Sequence, residues 1–325
     1  MEGRTYKYNP KPEFEERMKL ILPDDEDRKA FWEICHTHAI DSIRCNTLKI
    51  SPEELRKRLE NYGWKLKFLS EQHPEIMVIK EESNLKPGEL GKTIEHILGY
   101  YYVQDISSMM SILALKPSED DLFLDLCASP GSKTTQAAAM MNNKGTIIAN
   151  EVSLGRVGIL NTNLERCGVS NTIVTKKDGV QFCLKCKKEK ISFDKILVDA
   201  PCSGEGTLRK SPNTMCIWNL KVIEGMAKIQ KKLACEALKI LNVGGEMVYS
   251  TCTLSPEEDE EVVQHLKENF NIEIEKIQLP IKTRPGITEW NGKKFDEELG
   301  NCCRIYPHDN DSDGFFLAKI RKLSE

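Results

Sequence analysis

Two cysteines in two short motifs carry the clearest potential for chemistry in this chain. Cys202 lies in Val-Asp-Ala-Pro-Cys-Ser-Gly (198–204), and Cys252 lies in Tyr-Ser-Thr-Cys-Thr (249–253). Each motif follows an apolar run that predicts a buried strand, and open α/β sheets place their chemistry at the carboxyl ends of strands. A cysteine thiolate is a strong nucleophile, so two thiols at one sheet edge indicate covalent catalysis on a bound substrate.

A loop of small residues follows a third predicted strand and opens a helix. Its sequence is Ala-Ser-Pro-Gly-Ser-Lys-Thr (128–134). Small residues let a backbone approach a ligand closely, and a helix N-terminus offers free N–H groups. The loop lacks the glycine spacing of dinucleotide-binding folds and that of phosphate-binding P-loops. A cofactor that has a carboxylate and no phosphate suits Lys133 and this helix end, and S-adenosylmethionine is such a cofactor.

Three acidic residues end strands of the same predicted sheet: Glu151, Asp178 and Asp199. A carboxylate in the position of Glu151 can accept hydrogen bonds from both hydroxyls of a ribose, as the acid of the dinucleotide fold does. Asp178 ends the third strand, where an adenine edge would lie. The three acids in register predict one cofactor site along the sheet edge.

The elements that must position these residues alternate along the second part of the chain. Strands are predicted at 121–127, 145–150, 172–177, 194–199, 245–251, 271–277 and 314–321. Helices are predicted at 132–141, 153–167, 219–241 and 255–269. This alternation predicts an α/β fold with a doubly wound, mostly parallel sheet and right-handed crossovers. The last two strands are expected to pair as an antiparallel hairpin at the sheet edge, with residues 280–313 inserted between them.

Residues 1–90 predict a small α+β domain. Apolar residues at helical spacing come first, within 14–22, and a β-α-β-β pattern follows them. Ser51-Pro-Glu-Glu starts the helix of that pattern, because serine caps a helix N-terminus and proline suits its first turn. Residues 91–119 are then a connector, and residues 120–325 are the catalytic domain.

Composition sets the broad class of protein. The chain has 325 residues, a net charge of −4 and 40% hydrophobic residues, which is typical of a globular protein with two domains. It has no run of 18 apolar residues and no apolar signal region near Met1, so we expect no membrane span and no secretory signal. We therefore expect a cytoplasmic location and reduced thiols.

Two pairs of cysteines leave alternatives open. Cys183 and Cys186 have a spacing known from zinc sites, but no second pair of cysteines or histidines follows at ligand spacing. We therefore expect plain thiols in a basic loop and no metal. In a protein from a thermophile, Cys183 and Cys186, or Cys302 and Cys303, could instead form a disulfide bond.

Together these motifs resemble those of the RNA cytosine-5 methyltransferases of the Nol/Nop/Sun (RsmB-like) group, and of archaeal-type tRNA methyltransferases in particular. The resemblance covers residues 40–322, and its most specific parts are Asp125–Thr134, Asp199–Gly204 and Ser250–Cys252. It implies a Rossmann-like class I methyltransferase domain with a seven-stranded sheet, preceded by an RRM-like RNA-binding domain. It further implies S-adenosylmethionine as the cofactor and RNA as the substrate, tRNA first, with no membrane and no indicated protein partner.

The resemblance also implies roles for individual residues. Cys252 would add to carbon 6 of cytosine, Asp199 would protonate N3 of the base, and Cys202 would assist release of the product. The residues expected to bind the cofactor are Cys127, Ala128, Ser129, Pro130, Gly131, Ser132, Lys133, Glu151, Arg156, Asp178 and Asp199. Phosphate contacts are expected from Arg44, Lys49, Arg209, Lys210 and Lys185–Lys190.

Other functions stay open as alternatives. Ribosomal RNA could replace tRNA as the substrate, or the chain could be a non-catalytic RNA-binding assembly factor that keeps the fold. Retention of both thiols and of Lys133 argues against the assembly factor. DNA cytosine-5 methyltransferases use the thiol of Pro-Cys as the nucleophile, and the presence of Cys252 argues against them. The missing glycine spacing argues against a dinucleotide-dependent oxidoreductase.

Overall fold

The computed structural model describes residues 10–80, 82–86 and 88–325. Its helices are α1 (Pro12–Ile21), α2 (Asp25–Cys35), α3 (Pro52–Glu60), α4 (Ile94–Ile97), α5 (Ile106–Leu115), α6 (Ser132–Met140), α7 (Leu154–Cys167), α8 (Gly179–Lys188), α9 (Asn213–Ile217), α10 (Leu220–Leu238), α11 (Glu260–Asn269) and α12 (Pro307–Asn310). Its strands are β1 (Ser42–Cys45), β2 (Leu66–Ser70), β3 (His73–Ile79), β4 (Tyr101–Val103), β5 (Leu122–Asp125), β6 (Thr146–Glu151), β7 (Thr172–Lys176), β8 (Phe193–Asp199), β9 (Leu241–Thr251), β10 (Ile272–Glu275), β11 (Arg284–Pro285), β12 (Glu289–Trp290), β13 (Lys293–Lys294), β14 (Cys303–Ile305) and β15 (Phe315–Lys322).

The larger sheet contains nine strands within the described residues. Eight follow the order β11-β14-β15-β9-β8-β5-β6-β7, and β10 pairs with β15 beside β14. The five strands from β5 to β9 are parallel to one another, which brings their carboxyl ends to one edge. The predicted doubly wound, mostly parallel sheet is therefore confirmed. The predicted antiparallel pair is β10 with β15, and the inserted residues 280–313 add β11 and β14 to the sheet.

Helices cover both faces of the parallel strands. Helices α5 and α6 pack on one face, and α8, α10 and α11 pack on the other. The central strands accordingly consist of continuous apolar runs, such as Ile196-Leu197-Val198 in β8, all of which are fully buried. Burial on both faces is the usual condition of parallel strands, and it leaves only the strand ends open to ligands.

The basic loop expected around Cys183 and Cys186 is a helix instead. Residues Gly179–Lys188 form α8, and Asp178 caps it by accepting a hydrogen bond from the N–H of Gln181 at 3.0 Å. Both cysteines are buried in the main core, while the lysines of this helix are exposed. The apolar stripe of this helix consists largely of cysteines. Cysteines that alternate with lysines do not give the apolar pattern from which a helix is predicted. Neither Cys183 with Cys186 nor Cys302 with Cys303 forms a disulfide bond.

A four-stranded antiparallel sheet, in the order β2-β3-β1-β4, precedes the larger one. Leu55 and Leu59 of α3 pack on one face of it. The other face is covered as well, because Ile76 of β3 belongs to the hydrophobic cluster of α5. Residues on both faces of this sheet therefore pack against other parts of the protein, and RNA binding by this domain stays a prediction.

The division predicted at residues 90 and 119 stays a prediction, and the packing crosses it. Phe14, Met18 and Phe31 of α1 and α2 belong to the hydrophobic core of the larger sheet, not to that of the small one. Strand β4 lies within the predicted connector but pairs with β1 of the small sheet. The two parts of the chain are therefore joined by shared packing.

Helix α11 begins at Glu260, later than the predicted start at 255. The preceding residues form turns, and Glu258, Asp259 and Glu260 are all fully buried. An acidic run after Ser255-Pro256 is typical of the solvated first turn of a helix, so the burial of three acids was not predicted. These acids bind parts of the site described below.

The described residues contain neither a membrane-spanning helix nor a metal-binding group of side chains. In residues 10–80, 82–86 and 88–325 no helix is long and apolar enough to cross a bilayer. The same residues contain no group of three or more histidines, cysteines and acids that could hold a metal ion. The region in which a secretory signal was not expected begins at Met1, and residues 1–9 lie outside the described ones.

Candidate active site

A cavity of about 550 Å³ opens at the carboxyl ends of the parallel strands. Its wall includes eight of the predicted site residues, namely Cys127, Ser129, Glu151, Arg156, Asp178, Asp199, Cys202 and Cys252. Leu126, Val180 and Ile229 add apolar surface. A concave, partly apolar cavity with a few convergent polar groups is typical of a small-molecule site, and the volume lies in the usual range.

The loop after β5 forms the back of this wall. Gly131 has a φ of +103°, and its missing Cβ would lie 3.0 Å from a methyl group of Leu160. Glycine therefore allows the loop to turn into α6 while α7 packs closely against it. The carbonyl of Pro130 accepts a hydrogen bond from the amide of Asn163 at 2.9 Å. Ala128, Pro130, Gly131 and Ser132 thus form the support of the cavity rather than its lined surface.

Acidic residues mark one end of the cavity, which we call the cofactor end and define by Glu151, Arg156 and Asp178. Glu151 is buried, and its carboxylate accepts a hydrogen bond from the N–H of Ser153 at 2.9 Å. Arg156 lies 3.6 Å from that carboxylate and donates a hydrogen bond to the carbonyl of Ser129 at 2.6 Å. The carboxylates of Glu151 and Asp178 face a cavity in which ribose hydroxyls or an adenine amino group can donate to them.

The other end, which we call the thiol end, contains Cys202, Cys252, Asp199 and Lys133. The two sulfur atoms lie 3.1 Å apart, within hydrogen-bond distance. The hydrogen bond with Cys252 and burial together raise the pKa of Cys202 well above its ordinary value. Cys202 therefore keeps its proton and is the thiol that can donate to the other sulfur.

Lys133 lies at the thiol end, although it was predicted to bind the cofactor. Its ammonium donates to the carboxylate of Asp199 at 2.7 Å and to the hydroxyl of Ser108 at 3.0 Å, and it lies 5.3 Å from the ring centre of Phe315. The long side chain crosses from α6 to the end of β8, so its charge does not line the cavity. Asp199 also accepts a hydrogen bond from the hydroxyl of Ser250 at 2.8 Å. Two donors thus hold this carboxylate.

The turns that carry the thiols are packed against each other without free space. The N–H of Gly206 donates to the carbonyl of Cys252 at 2.9 Å. A Cβ on Gly206 would lie 2.1 Å from the carbonyl oxygen of Gly314 and 2.8 Å from that of Cys252, so only glycine fits. The hydroxyls of Ser203 and Thr253 are 2.9 Å apart, which joins the two turns a second time.

Several residues that support the thiol end were not predicted. The carboxylate of Glu258 accepts hydrogen bonds from the N–H of Ser203 at 3.0 Å and from the amide of Gln230 at 2.8 Å. The carboxylate of Glu205 accepts one from Ser255 at 2.8 Å. The chain offers only one sequence signal for these contacts, the run of acids after Pro256, and helical periodicity places those acids in solvent.

Two arginines expected to contact RNA are buried, which corrects that prediction. Arg44 donates to the carbonyl of Ser132 at 2.7 Å and to the hydroxyl of Thr135 at 2.8 Å, and so joins the small sheet to the start of α6. Arg209 is paired with Asp311 at 2.6 Å and has a side chain only 1% exposed. A guanidinium has five donors, so it can join several chain segments at once, and these two do so.

The two single lysines expected to contact RNA are also engaged within the protein. The ammonium of Lys49 donates to two backbone carbonyls, those of Leu98 at 2.9 Å and Arg166 at 2.7 Å. That of Lys210 is paired with Asp105 and Asp313 at 2.9 and 2.6 Å. Lys49 and Lys210 are nevertheless exposed, as are the lysines of 185–190, so the expectation of phosphate contacts from all of them stays a prediction.

The site fits the predicted cofactor. The cavity offers two carboxylates at one end for hydroxyl and amino donors, apolar surface between its ends, and the thiols at the other end. Burial raises the pKa of Cys127, so this third thiol of the wall stays neutral and belongs to the apolar lining. The loop before α6 has neither the glycine spacing of a dinucleotide-binding fold nor that of a P-loop, which agrees with a cofactor that has no phosphate.

Comparison with known proteins identifies the family. Residues 112–321 match the family model of the 16S rRNA methyltransferase RsmB/F, and residues 11–106 match that of the N-terminal domain of 16S rRNA methyltransferase RsmF. Ribosomal RNA small subunit methyltransferase F of Vibrio cholerae is 41% identical over 97% of this chain and 64% of its own length. The tRNA (cytosine(49)-C(5))-methyltransferase of Pyrococcus abyssi is 40% identical over 91% of this chain and 93% of its own length.

Solved structures agree with the family models. A methyltransferase homolog from Pyrococcus horikoshii has a TM-score of 0.84 and 32% identity, with 98% of this chain and 96% of that chain covered. NSun6 from the same organism, solved with SFG, has a TM-score of 0.83 and 27% identity over 97% of this chain and 98% of its own. The fold class and S-adenosylmethionine as the cofactor are thereby confirmed. The chain spans 64% and 63% of the length of two of its relatives from Vibrio. It belongs to the RsmB/F methyltransferase family.

Proposed function

We propose that this protein transfers a methyl group from S-adenosylmethionine to carbon 5 of cytosine in RNA, through a covalent adduct between Cys252 and the base. The observation that carries the proposal is the thiol end: two thiols 3.1 Å apart beside a carboxylate held by Lys133 and Ser250. This group of residues lies on the wall of a cavity whose other end fits the cofactor.

Binding is assigned to the cofactor end. Glu151 and Asp178 would accept hydrogen bonds from the cofactor, while Cys127 and Ser129 of the loop after β5 and the apolar residues of the wall would enclose it. When bound, S-adenosylmethionine supplies an electrophilic methyl group next to the thiols. Arg156 holds the carbonyl of Ser129 and so keeps the loop closed against the start of α7.

Cys252 is the proposed nucleophile. Carbon 5 of cytosine is a poor nucleophile, and addition of a thiolate to carbon 6 makes it enamine-like, which divides one difficult step into easier ones. Cys202 keeps its proton, because the hydrogen bond with Cys252 and burial raise its pKa. A hydrogen bond from the thiol of Cys202 would stabilise a thiolate on Cys252, which supports Cys252 as the attacking residue.

Asp199 is the proposed partner of N3 of the base. A proton held between the Asp199 carboxyl group and N3 would stabilise the adduct, because negative charge otherwise develops on the ring. Lys133 and Ser250 donate to the two oxygens of this carboxylate and fix its orientation. After methyl transfer a base must remove the proton from carbon 5, and Cys252 must leave. Cys202, beside the departing sulfur, is proposed to assist this release.

tRNA is the proposed substrate, and 16S rRNA is the second candidate. The relative from Pyrococcus abyssi is a tRNA cytosine-5 methyltransferase by name, and it matches 91% of this chain. The relatives from Vibrio are rRNA methyltransferases by name and match the chain equally well, which supports the second candidate. The exposed lysines of 185–190 are proposed as phosphate contacts for either RNA, and a cytoplasmic location stays a prediction.

A methyl-transfer assay tests the proposal. Unmodified tRNA and 16S rRNA would be incubated with methyl-labelled S-adenosylmethionine and the wild-type protein, Cys252→Ala or Cys202→Ala. The control is Cys235→Ala, because Cys235 lies on α10 and is not part of the cavity wall. Bisulfite sequencing then locates the modified cytosines. We expect labelled tRNA with the wild type and the control, no product with Cys252→Ala, and a persistent protein–RNA adduct with Cys202→Ala.

Other results would contradict parts of the proposal. Labelled rRNA with unlabelled tRNA would make 16S rRNA the substrate. Activity of Cys252→Ala together with a dead Cys202→Ala would reverse the two thiols. Binding of the cofactor without methylation of either RNA would favour an assembly factor that keeps the fold.

A further inference from the structure

A buried carboxylate lies beside the Cys202 turn and has no role in the mechanism proposed above. Glu258 is fully buried in the turn before α11. Its backbone is fixed, because its carbonyl accepts a hydrogen bond from the hydroxyl of Tyr249 at 2.5 Å. A buried carboxylate is costly unless it is bound, so its contacts indicate what keeps it there.

The contacts of Glu258 hold the Cys202 turn on both sides. One carboxylate oxygen accepts hydrogen bonds from the N–H of Ser203 at 3.0 Å and from the amide of Gln230 at 2.8 Å. The same amide of Gln230 also donates to the carbonyl of Pro201 at 2.8 Å. The residues before and after Cys202 are therefore tied to one carboxylate, directly or through one side chain.

The electrostatics of Glu258 also act on Cys202. Its second carboxylate oxygen is buried and has no hydrogen-bond partner among the described residues. Burial raises the pKa of Glu258 to about 7, and the negative charge of Glu258 is one cause that raises the pKa of Cys202. Other ionisable groups that act on the Glu258 carboxyl group are those of Glu205, Asp259 and Tyr249. Each of them is an acid.

We propose that Glu258 is a positioning residue for Cys202, which fixes its turn and opposes negative charge on its sulfur, so that Cys252 alone serves as the nucleophile. This inference rests on the thiol roles of the proposed function and goes beyond them by naming the group that separates two neighbouring thiols. A purely structural role of Glu258 would fix the turn but would not make the reactivity of Cys202 depend on a second titration.

Alkylation of Cys202 provides a readout that needs neither RNA nor cofactor. The full chain carrying Cys252→Ser removes the competing thiol, and iodoacetamide labelling of Cys202 is followed by peptide mass spectrometry from pH 6 to 10. The same background then receives Glu258→Gln, which keeps an acceptor oxygen for Ser203 but removes the charge. Glu257→Gln is the matched control, because Glu257 binds Arg17 and Trp290 instead.

The expected result is a bend in one profile and its loss in another. With Glu258 present, the logarithm of the alkylation rate should rise less steeply above about pH 7, where the carboxylate becomes charged. With Glu258→Gln the rise should continue unchanged, so that Cys202 reacts roughly threefold to tenfold faster at pH 8.5, which is the effect of a pKa shift of about half to one unit. Glu257→Gln should keep the bend.

Two results would overturn the inference. One is the same profile for Glu258→Gln and Glu257→Gln in folded protein. The other is a profile without a bend in Cys252→Ser alone, which decides the question even if Glu258→Gln does not fold. Failure of methyl transfer to any RNA would contradict the proposed function but would leave the alkylation profiles unchanged, so the two failures are distinguishable.

Discussion

The two ends of the cavity are built from contacts of different reach along the chain. At the cofactor end, Glu151 binds the N–H two residues away and Asp178 binds the N–H three residues away. At the thiol end, Cys202 and Cys252 are 50 residues apart in sequence, and Lys133 and Asp199 are 66 apart. The cofactor end is therefore a property of individual strand ends, whereas the thiol end exists only when several loops meet.

This difference predicts which substitutions should affect one property of the protein and which should affect several. A substitution of Glu151 or Asp178 at the cofactor end should change binding of one ligand and little else, because the contacts of these two carboxylates are local. A substitution of a residue that holds the thiol end in place should change both stability and catalysis, because each of its contacts joins separate parts of the fold. The following predictions test this contrast, beginning with the largest effect.

Arg304→Met should cause the largest loss of stability. Its side chain is 1% exposed, pairs with Glu260, and donates to the carbonyl of Leu254 at 3.0 Å, just after Cys252. Removal of one partner from a buried ion pair costs about 3–5 kcal/mol. Urea unfolding measures it, and Arg156→Met, from the half-exposed arginine of the cofactor end, should cost less than about 1 kcal/mol. Equal losses for the two variants would contradict the contrast.

Lys133→Met should lower kcat by roughly 10²-fold or more, because it removes a donor that orients Asp199, and a positioned general acid contributes about 10²–10⁴-fold. The affinity for S-adenosylmethionine, measured by calorimetry, should change less than threefold, because the ammonium binds Asp199 and does not line the cavity. A weakened cofactor with normal kcat would return Lys133 to the cofactor end.

Glu258→Gln should remove part of the pH dependence of folding. The pKa of Glu258 is about 7 in the folded protein and 4.5 in its ordinary state, so the folded protein binds more protons between these values. Its contribution to stability is therefore fully present below pH 4.5 and is lost as the pH rises to 7, by up to about 3 kcal/mol.

Urea unfolding at pH 5 and pH 8 checks this prediction. The wild type should lose more stability than Glu258→Gln over that interval. Burial also raises the pKa of Asp125 to about 7, and it contributes with the same sign to both proteins. The difference between the two proteins therefore reports on Glu258 alone. Parallel losses would contradict the burial of a charged carboxylate at the thiol end.

Glu151→Gln should give the smallest and most local effect. A hydrogen bond from a neutral donor to a charged group contributes about 1.5–3 kcal/mol, so the Kd for S-adenosylmethionine should rise roughly 10-fold to 100-fold. Calorimetry measures the Kd, and the alkylation rates of Cys202 and Cys252 should stay within twofold of the wild type. Altered thiol reactivity in this variant would show that the two ends are coupled.

Sequence patterns predicted the parts of the site that depend on strand ends. Glu151, Asp178, Asp199 and both thiols line the cavity because each lies at or just after the end of a predicted strand, and the parallel order of the strands brings those ends together. The fold class followed from the same alternation of strands and helices. For these residues, local pattern and topology are sufficient.

Sequence patterns did not predict the positions of several long side chains and buried acids. Lys133 of α6 was predicted to bind the cofactor, but its side chain reaches Asp199 at the end of β8. Arg44 and Arg209 were predicted on the surface, yet their guanidinium groups are buried where separate segments meet. Glu258 follows a proline in an acidic run, and only the packed structure shows that Ser203 and Gln230 surround it. Partners distant in sequence decide each of these positions.

The most direct test of the account is the identity of the cysteine that bonds to the base. RNA transcribed with 5-fluorocytidine would trap the adduct, because fluorine at carbon 5 cannot leave as a proton does. Wild-type protein, trapped RNA and S-adenosylmethionine would be digested and the cross-linked peptide identified by mass spectrometry. The account predicts that the nucleotide is attached to Cys252. Attachment to Cys202 would contradict it.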